Sequence, residues 1–186
     1  MPAGDRTRPT TDRVREALFS AIAAWAGTAH LPPDEALAGL AFADLYAGSG
    51  AVGLEAASRG AAPVLLVEGD KRTAQLTARN AADLGLDVRL QAQRVERLVA
   101  QPSTTTFDVA FLDPPYELAA DAVSAVLAQL VDQGWLAADA LLVVERSRRG
   151  ADLRWPASAG DSWSRSYGET VLHFAALAPT PSEEPA

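Results

Sequence analysis

Asp113-Pro114-Pro115-Tyr116 is the stretch of this chain best equipped for chemistry. It closes an apolar run, residues 107–112, that reads as a buried strand. Two successive prolines cannot continue a ladder, so the strand stops there. The stop leaves a carboxylate, a carbonyl with no following N–H, and an aromatic ring at a strand's carboxyl end. In open α/β sheets that edge is where ligands bind. Two acceptors beside a stacking ring suit a planar amine, such as the exocyclic NH2 of a nucleobase. The plainer alternative is a strand-ending turn with a solvated Asp113. On the first reading Asp113 and the Pro114 carbonyl hold the amine and Tyr116 stacks on the base.

A second constellation lies upstream. Residues 40–47 form a strand candidate, followed by Gly48-Ser49-Gly50-Ala51-Val52-Gly53 and a helical stretch to Arg59-Gly60. This is a G-x-G-x-x-G turn between strand and helix, where glycine lets the backbone turn tightly and a ligand approach closely. Residues 61–67 form the next strand and Glu68 ends it, placed to bond both hydroxyls of a ribose. Asp44 precedes the glycine loop. A pyrophosphate would be repelled there, whereas a sulfonium and an ammonium would be attracted, so the combination favours S-adenosylmethionine over a dinucleotide. Asp44 could also cap local backbone groups.

The elements that must position these residues follow from pattern. At 186 residues the chain makes one domain with a sizeable core. Residues 1–9 read as an arm, 10–178 as the domain and 179–186 as a disordered tail. A helix from Arg13 to about Trp25 carries Val14, Leu18, Ala21, Ile22 and Trp25 at helical spacing, with Thr11 or Asp12 as N-cap. Residues 71–85 form a helix with Leu76 and Leu84 on its inner face and Gly85 as its stop. Residues 88–90 form a short strand, 95–100 a short helix and 118–130 a longer one. Leu141 to Glu145 is the fifth strand, and residues 162–167 and 170–176 form a terminal hairpin across Gly168-Glu169. Five β-then-α repeats and a hairpin give an α/β, doubly wound sheet.

The bulk numbers exclude several classes. There is no Cys, hence no disulfide and no Cys-built metal site, and no metal is expected. His30 and His173 read as structural or solvated. No run approaches a membrane span and no apolar signal core is present, so a cytoplasmic enzyme is expected. The net charge of −8 argues mildly against a nucleic-acid partner, but phosphate contacts are local. Arg6, Arg8, Arg13 and Arg15 crowd the N-terminus, while Arg148 and Arg149 read as a solvated face.

Segments 8–19, 44–56 and 113–116, with the late Tyr167-Gly168-Glu169-Thr170, carry a resemblance. The chain resembles class I S-adenosylmethionine-dependent methyltransferases acting on exocyclic amines. More closely, it is similar to the bacterial 16S ribosomal RNA guanine-N2 methyltransferase family of the RsmD type. The resemblance spans about residues 8–174. The glycine loop is common across the superfamily, while the Arg-Pro-Thr helix and Asp-Pro-Pro-Tyr together are far more specific. It implies a Rossmann-like methyltransferase fold, a seven-stranded, mostly parallel sheet with an antiparallel last strand. It also implies methylation of the guanine N2 amine of 16S rRNA, in the small-subunit head and in assembled 30S particles, by a monomer.

In this reading Ala47, Gly48, Ser49 and Gly50 pass under the methionine portion of the cofactor. Glu68 binds the ribose, and Asp44 orients the amino group directly or through water. Thr10 and Thr11 reach the carboxylate or simply cap the helix. Adenine falls near Arg94-Val95, where Arg94 departs from the acid or amide common in the superfamily. Arg6, Arg8, Arg13 and Arg15 contact RNA. Family members carry a glycine- and arginine-rich hairpin ahead of the Arg-Pro-Thr segment. This sequence starts about at that segment, so a weaker grip on RNA is expected.

Three other readings compete. An adenine-N6 DNA methyltransferase uses the same tetrapeptide, but no stretch is long enough for a target-recognition domain. An NAD-type dehydrogenase leaves Asp-Pro-Pro-Tyr unexplained. A non-enzymatic RNA-binding scaffold would not need the tetrapeptide intact.

Overall fold

The computed structural model describes residues 12–178. In chain order the elements are α1 (Asp12–Trp25), β1 (Phe42–Leu45), α2 (Ala51–Ser58), β2 (Val64–Val67), α3 (Lys71–Asp83) and β3 (Arg89–Gln91). They continue with α4 (Val95–Val99), β4 (Phe107–Leu112), α5 (Ala120–Asp132), β5 (Leu136–Ser147), β6 (Ala159–Tyr167) and β7 (Thr170–Leu177). The seven strands form one sheet in the order β3-β2-β1-β4-β5-β7-β6. Strands β1 to β5 pair in parallel, and β7 runs antiparallel to both β5 and β6. The expected seven-stranded, doubly wound sheet with an antiparallel last strand is what the chain forms.

The β4 run is apolar throughout because both faces of the sheet are covered. Ala110 and Leu112 point to one face, with Ala43, Leu45, Leu142 and Val144, under Val95 and Val99 of α4 and Val123, Val126, Leu127 and Leu130 of α5. Val109 and Phe111 point to the other, with Phe42, Leu141, Val143 and Phe174, under Val14, Leu18, Phe19 and Ile22 of α1 and Val52 and Ala56 of α2. After β1 the chain winds outward to β2 and β3, then returns to the opposite side of β1 as β4. The carboxyl ends of β1 and β4 thus flank a topological switch point, the crevice in which α/β sheets hold ligands.

Three expectations need correction. Leu76 and Leu84 do not face inward: they are 48% and 63% exposed. The inner face of α3 is built from Ala74, Thr77 and Ala81, whose small side chains let the helix lie against the glycine loop. The fifth repeat has no helix, since residues 148–158 pass from β5 to β6 through turns and irregular chain. Strand β5 also runs beyond the apolar segment, because its polar end pairs with β7, with Arg146 opposite Val171 and Ser147 opposite Thr170. The terminal hairpin turns at Gly168-Glu169 as expected, with Gly168 at φ 61°.

Candidate active site

Strands β1 and β2 deliver a carboxylate at or just past their ends, as Asp44 and Glu68. Asp113 follows directly on β4, and Glu145 lies near the end of β5. Asp44 is 1% exposed, and its Oδ2 accepts a 2.8 Å hydrogen bond from the Gly53 amide in α2. Burial pushes its pKa up to about 7, helped by the charge of Glu68 and opposed by the Gly53 bond. A carboxylate so poorly compensated favours a cation beside it.

The glycine loop is held from behind. Tyr46 sits at φ 70°, and Gly48 and Gly50 at 55° and 85°, conformations that glycine adopts without strain. The Glu68 carboxylate accepts from the Gly48 amide at 2.9 Å and from the Asp70 amide at 2.7 Å. From α3, the Thr77 hydroxyl lies 2.5 Å from the Gly48 carbonyl, and the Asn80 amide donates to the Ser49 carbonyl at 2.9 Å. A side chain on Gly48 would meet nothing within 4 Å, so the loop presents open space there. At Gly53 the opposite holds: an added Cβ would lie 2.2 Å from Leu66 Cδ2 and 3.0 Å from Asp44 Cβ. The last glycine of the motif therefore serves helix-to-sheet packing, while the first borders open space. The Tyr46 hydroxyl donates to Glu96 of α4 at 2.8 Å, tying the loop to the element after β3.

The tetrapeptide starts beside the end of β1 that leads into this loop. Asp113 is half-buried, and its amide lies 3.4 Å from the Leu45 carbonyl. Its pKa is raised, first by burial, then by the charges of Glu145 and Asp44, with Arg146 opposing. Pro114 is buried, and its carbonyl accepts no hydrogen bond among the described residues. Tyr116 is 73% exposed, and its hydroxyl is anchored 3.0 Å from Ser147 Oγ, which leaves the ring face open. The Arg146 guanidinium donates to the Leu118 carbonyl at 2.8 Å and so braces the chain after the tetrapeptide.

The structure thus brings together Asp44, Ala47, Gly48, Ser49, Gly50, Glu68, Asp113, Pro114 and Tyr116. Arg94 is exposed at the N-cap of α4. Val95 buries its side chain in the core at 1% exposure, so only its backbone can meet a ligand. Arg13 is exposed on α1. The Arg15 guanidinium is held by Glu55 of α2 and by Asp12 at 2.9 Å, so it docks α1 on α2. Arg6, Arg8, Thr10 and Thr11, with the tail after 178, lie outside the described residues. Sequence reasoning missed Thr77, Asn80, Glu96, Arg146 and Ser147. For Thr77 a signal existed: a hydroxyl at helical spacing between Ala74 and Ala81.

A sheet in this order, with acid-ended strands around a glycine loop and an Asp-Pro-Pro-Tyr end on the fourth, defines a methyltransferase of the class I fold. The solved structure of "Putative methyltransferase yhhF" from Escherichia coli matches it with a TM-score of 0.79 and 31% identity, covering 97% of this chain and 92% of that one. The model of the family described as "Conserved hypothetical protein 95" matches residues 1–176, and the chain belongs to that family. The chain is 36% identical over 146 residues to "Ribosomal RNA small subunit methyltransferase D" of Escherichia coli (strain K12), spanning 78% of this chain and 67% of the relative. It is 34% identical over 175 residues to "Putative rRNA methyltransferase YlbH" of Bacillus subtilis (strain 168), spanning 90% and 86%. The resemblance read from the sequence is borne out.

Proposed function

We propose that this protein methylates the N2 exocyclic amine of a guanine in 16S ribosomal RNA, with S-adenosylmethionine as methyl donor. The observation that carries the reading is the pair of acceptors, Asp113 and the Pro114 carbonyl, beside the exposed Tyr116 ring and across from the glycine loop. The names of the relatives support the ribosomal substrate.

The residues present fit the methyl donor. Asp44 is a buried carboxylate whose raised pKa calls for a cation, which suits an ammonium. The space over Gly48 admits a ligand, with Ala47, Ser49 and Gly50 completing the cradle for the methionine portion. Each Glu68 oxygen already accepts one backbone N–H and keeps a lone pair for a ribose hydroxyl. Arg94 and the Val95 backbone would flank the adenine. S-adenosylmethionine supplies an activated methyl group with a neutral leaving group.

The chain's own groups do the rest. The guanine amine is a poor nucleophile, because its lone pair is conjugated into the ring. Asp113 and the Pro114 carbonyl accept its two N–H bonds and draw the nitrogen toward tetrahedral geometry, freeing the lone pair. Alignment and fixed dipoles supply most of the acceleration. The nitrogen becomes acidic as it is alkylated, and Asp113, made more basic by burial, takes the proton. Tyr116 stacks on the base removed from its own stack. Arg6, Arg8 and Arg13 meet RNA backbone. The substrate is the assembled 30S particle, the protein acts as a monomer, and a ribosomal substrate fits a cytoplasmic enzyme. Among the described residues no helix is long and apolar enough to cross a membrane.

The test supplies labelled S-adenosylmethionine with 30S particles lacking this modification, naked 16S RNA and duplex DNA in parallel, followed by nucleoside digestion. Label in N2-methylguanine from the particles is expected. Label in N6-methyladenine from DNA would overturn the substrate.

A further inference from the structure

We propose that the turn Ser147–Gly150 is a phosphate-gripping ledge, on which Arg148 and Arg149 hold the RNA backbone beside the base that Tyr116 stacks. The inference rests on the methyltransferase reading above and adds a binding surface to it.

The turn is built, not loose. The Gly150 amide donates to the Ser147 carbonyl at 2.9 Å, which places Arg148 and Arg149 at the two central positions of a β-turn. A Cβ on Gly150 would lie 3.1 Å from that carbonyl, a close contact that glycine avoids. The Arg148 amide donates to the Glu169 carbonyl in the β6–β7 turn at 2.8 Å. The Arg149 amide lies 3.3 Å from Ser147 Oγ. That same oxygen is 3.0 Å from the Tyr116 hydroxyl. One serine therefore joins the exposed ring to a fixed turn that carries two guanidinium groups.

Those groups are available. The Arg148 side chain is exposed and makes no ion pair among the described residues. Arg149 is 81% exposed, and its contact with the 58% exposed Glu169 is long, at 3.4 Å. Such a pair contributes little in water and yields readily to a phosphate. Some other arginines are engaged by half-buried neighbours: Arg15 and Arg59 by Glu55, and Arg146 by the Leu118 carbonyl. A chain of net charge −8 attracts RNA only through local positive patches, and this one adjoins the target base. Arginine also suits the task, since its planar fork matches two phosphate oxygens.

The experiment compares wild type with Arg148→Ala/Arg149→Ala in the full chain. Methylation of unmodified 30S particles is followed between about 50 and 200 mM salt, the range over which phosphate contacts are read. Affinity for S-adenosylmethionine is measured by calorimetry. The expected result is a KM for particles raised on the order of tenfold, with kcat and cofactor affinity near wild type. The slope of log(kcat/KM) against log salt should become shallower by about 0.7 per lost contact, hence about 1.4 for the pair. The Arg148→Lys/Arg149→Lys pair should restore most of the slope. An unchanged KM and slope would overturn the ledge. So would a loss of cofactor affinity matching the loss in kcat/KM, since the turn would then only prop the tetrapeptide. Wild type that neither binds nor methylates the particles would overturn the functional reading itself, and the ledge with it.

Discussion

Gly53→Ala tests the packing that fixes the cofactor side of the site. The new Cβ would sit 2.2 Å from Leu66 Cδ2, 3.0 Å from Asp44 Cβ and 3.1 Å from Asp44 Oδ2. Ordinary carbon contacts are about 3.5–4.0 Å, so the first is short by roughly 1.3–1.8 Å. Leu66 is fully buried and has nowhere to go, so α2 must lift from β1 and β2. Overpacking of this kind costs about 1–3 kcal/mol. Lifting α2 also stretches the Gly53–Asp44 bond, and losing a hydrogen bond to a charged group costs about 1.5–3 kcal/mol. The gain in helix propensity returns about 1 kcal/mol. A net loss of about 1.5–5 kcal/mol corresponds to a melting temperature lower by roughly 3–20 °C for a chain of this size. Thermal denaturation reads the first effect, and titration with S-adenosylmethionine reads the weakened Asp44. Gly48→Ala is the contrast. Its Cβ meets no atom, its left-handed φ costs about 1–2 kcal/mol, and its methyl enters the space reserved for the ligand. It should lose cofactor affinity out of proportion to stability. A Gly53→Ala protein as stable as wild type, with unchanged affinity, would refute the packing argument.

Two pH effects follow from the carboxylates. Asp44 has a folded pKa raised from 3.8 to about 7, so between those values the native state binds more protons than the unfolded one. Its contribution to stability is full below the lower value and fades as pH rises through about 7. Urea denaturation without cofactor should show that Asp44→Asn flattens this decline, and an equal decline in both proteins would contradict it. For Asp113, Arg146 is the charge that opposes protonation. Arg146→Met should move the acid limb of the kcat/KM profile to higher pH, and an unmoved limb would exclude that role.

The parts of the fold written in local chemistry were legible in the sequence. The β4 run shows because both faces of that strand are buried, and Pro114-Pro115 marks its end. Gly48 and Gly50 show because their positive φ values admit little else. What depends on distant partners did not show. Leu76 and Leu84 have helical spacing, yet the inner face of α3 must be small to approach the glycine loop, so Ala74, Thr77 and Ala81 take it. Arg15 looked like part of a basic cluster, but its partner Glu55 stands 40 residues away. Arg146 and Ser147 lay past the strand expected at Leu141–Glu145, because only pairing with β7 extends β5 beyond its apolar segment.

The central claim is that Asp113 orients the amine, and single-turnover methyl transfer by Asp113→Ala tests it most directly. With saturating S-adenosylmethionine and unmodified 30S particles, the rate should fall by about 100-fold or more, the scale for losing a key polar stabiliser. Cofactor affinity should stay near wild type. Transfer at the wild-type rate would contradict the claim.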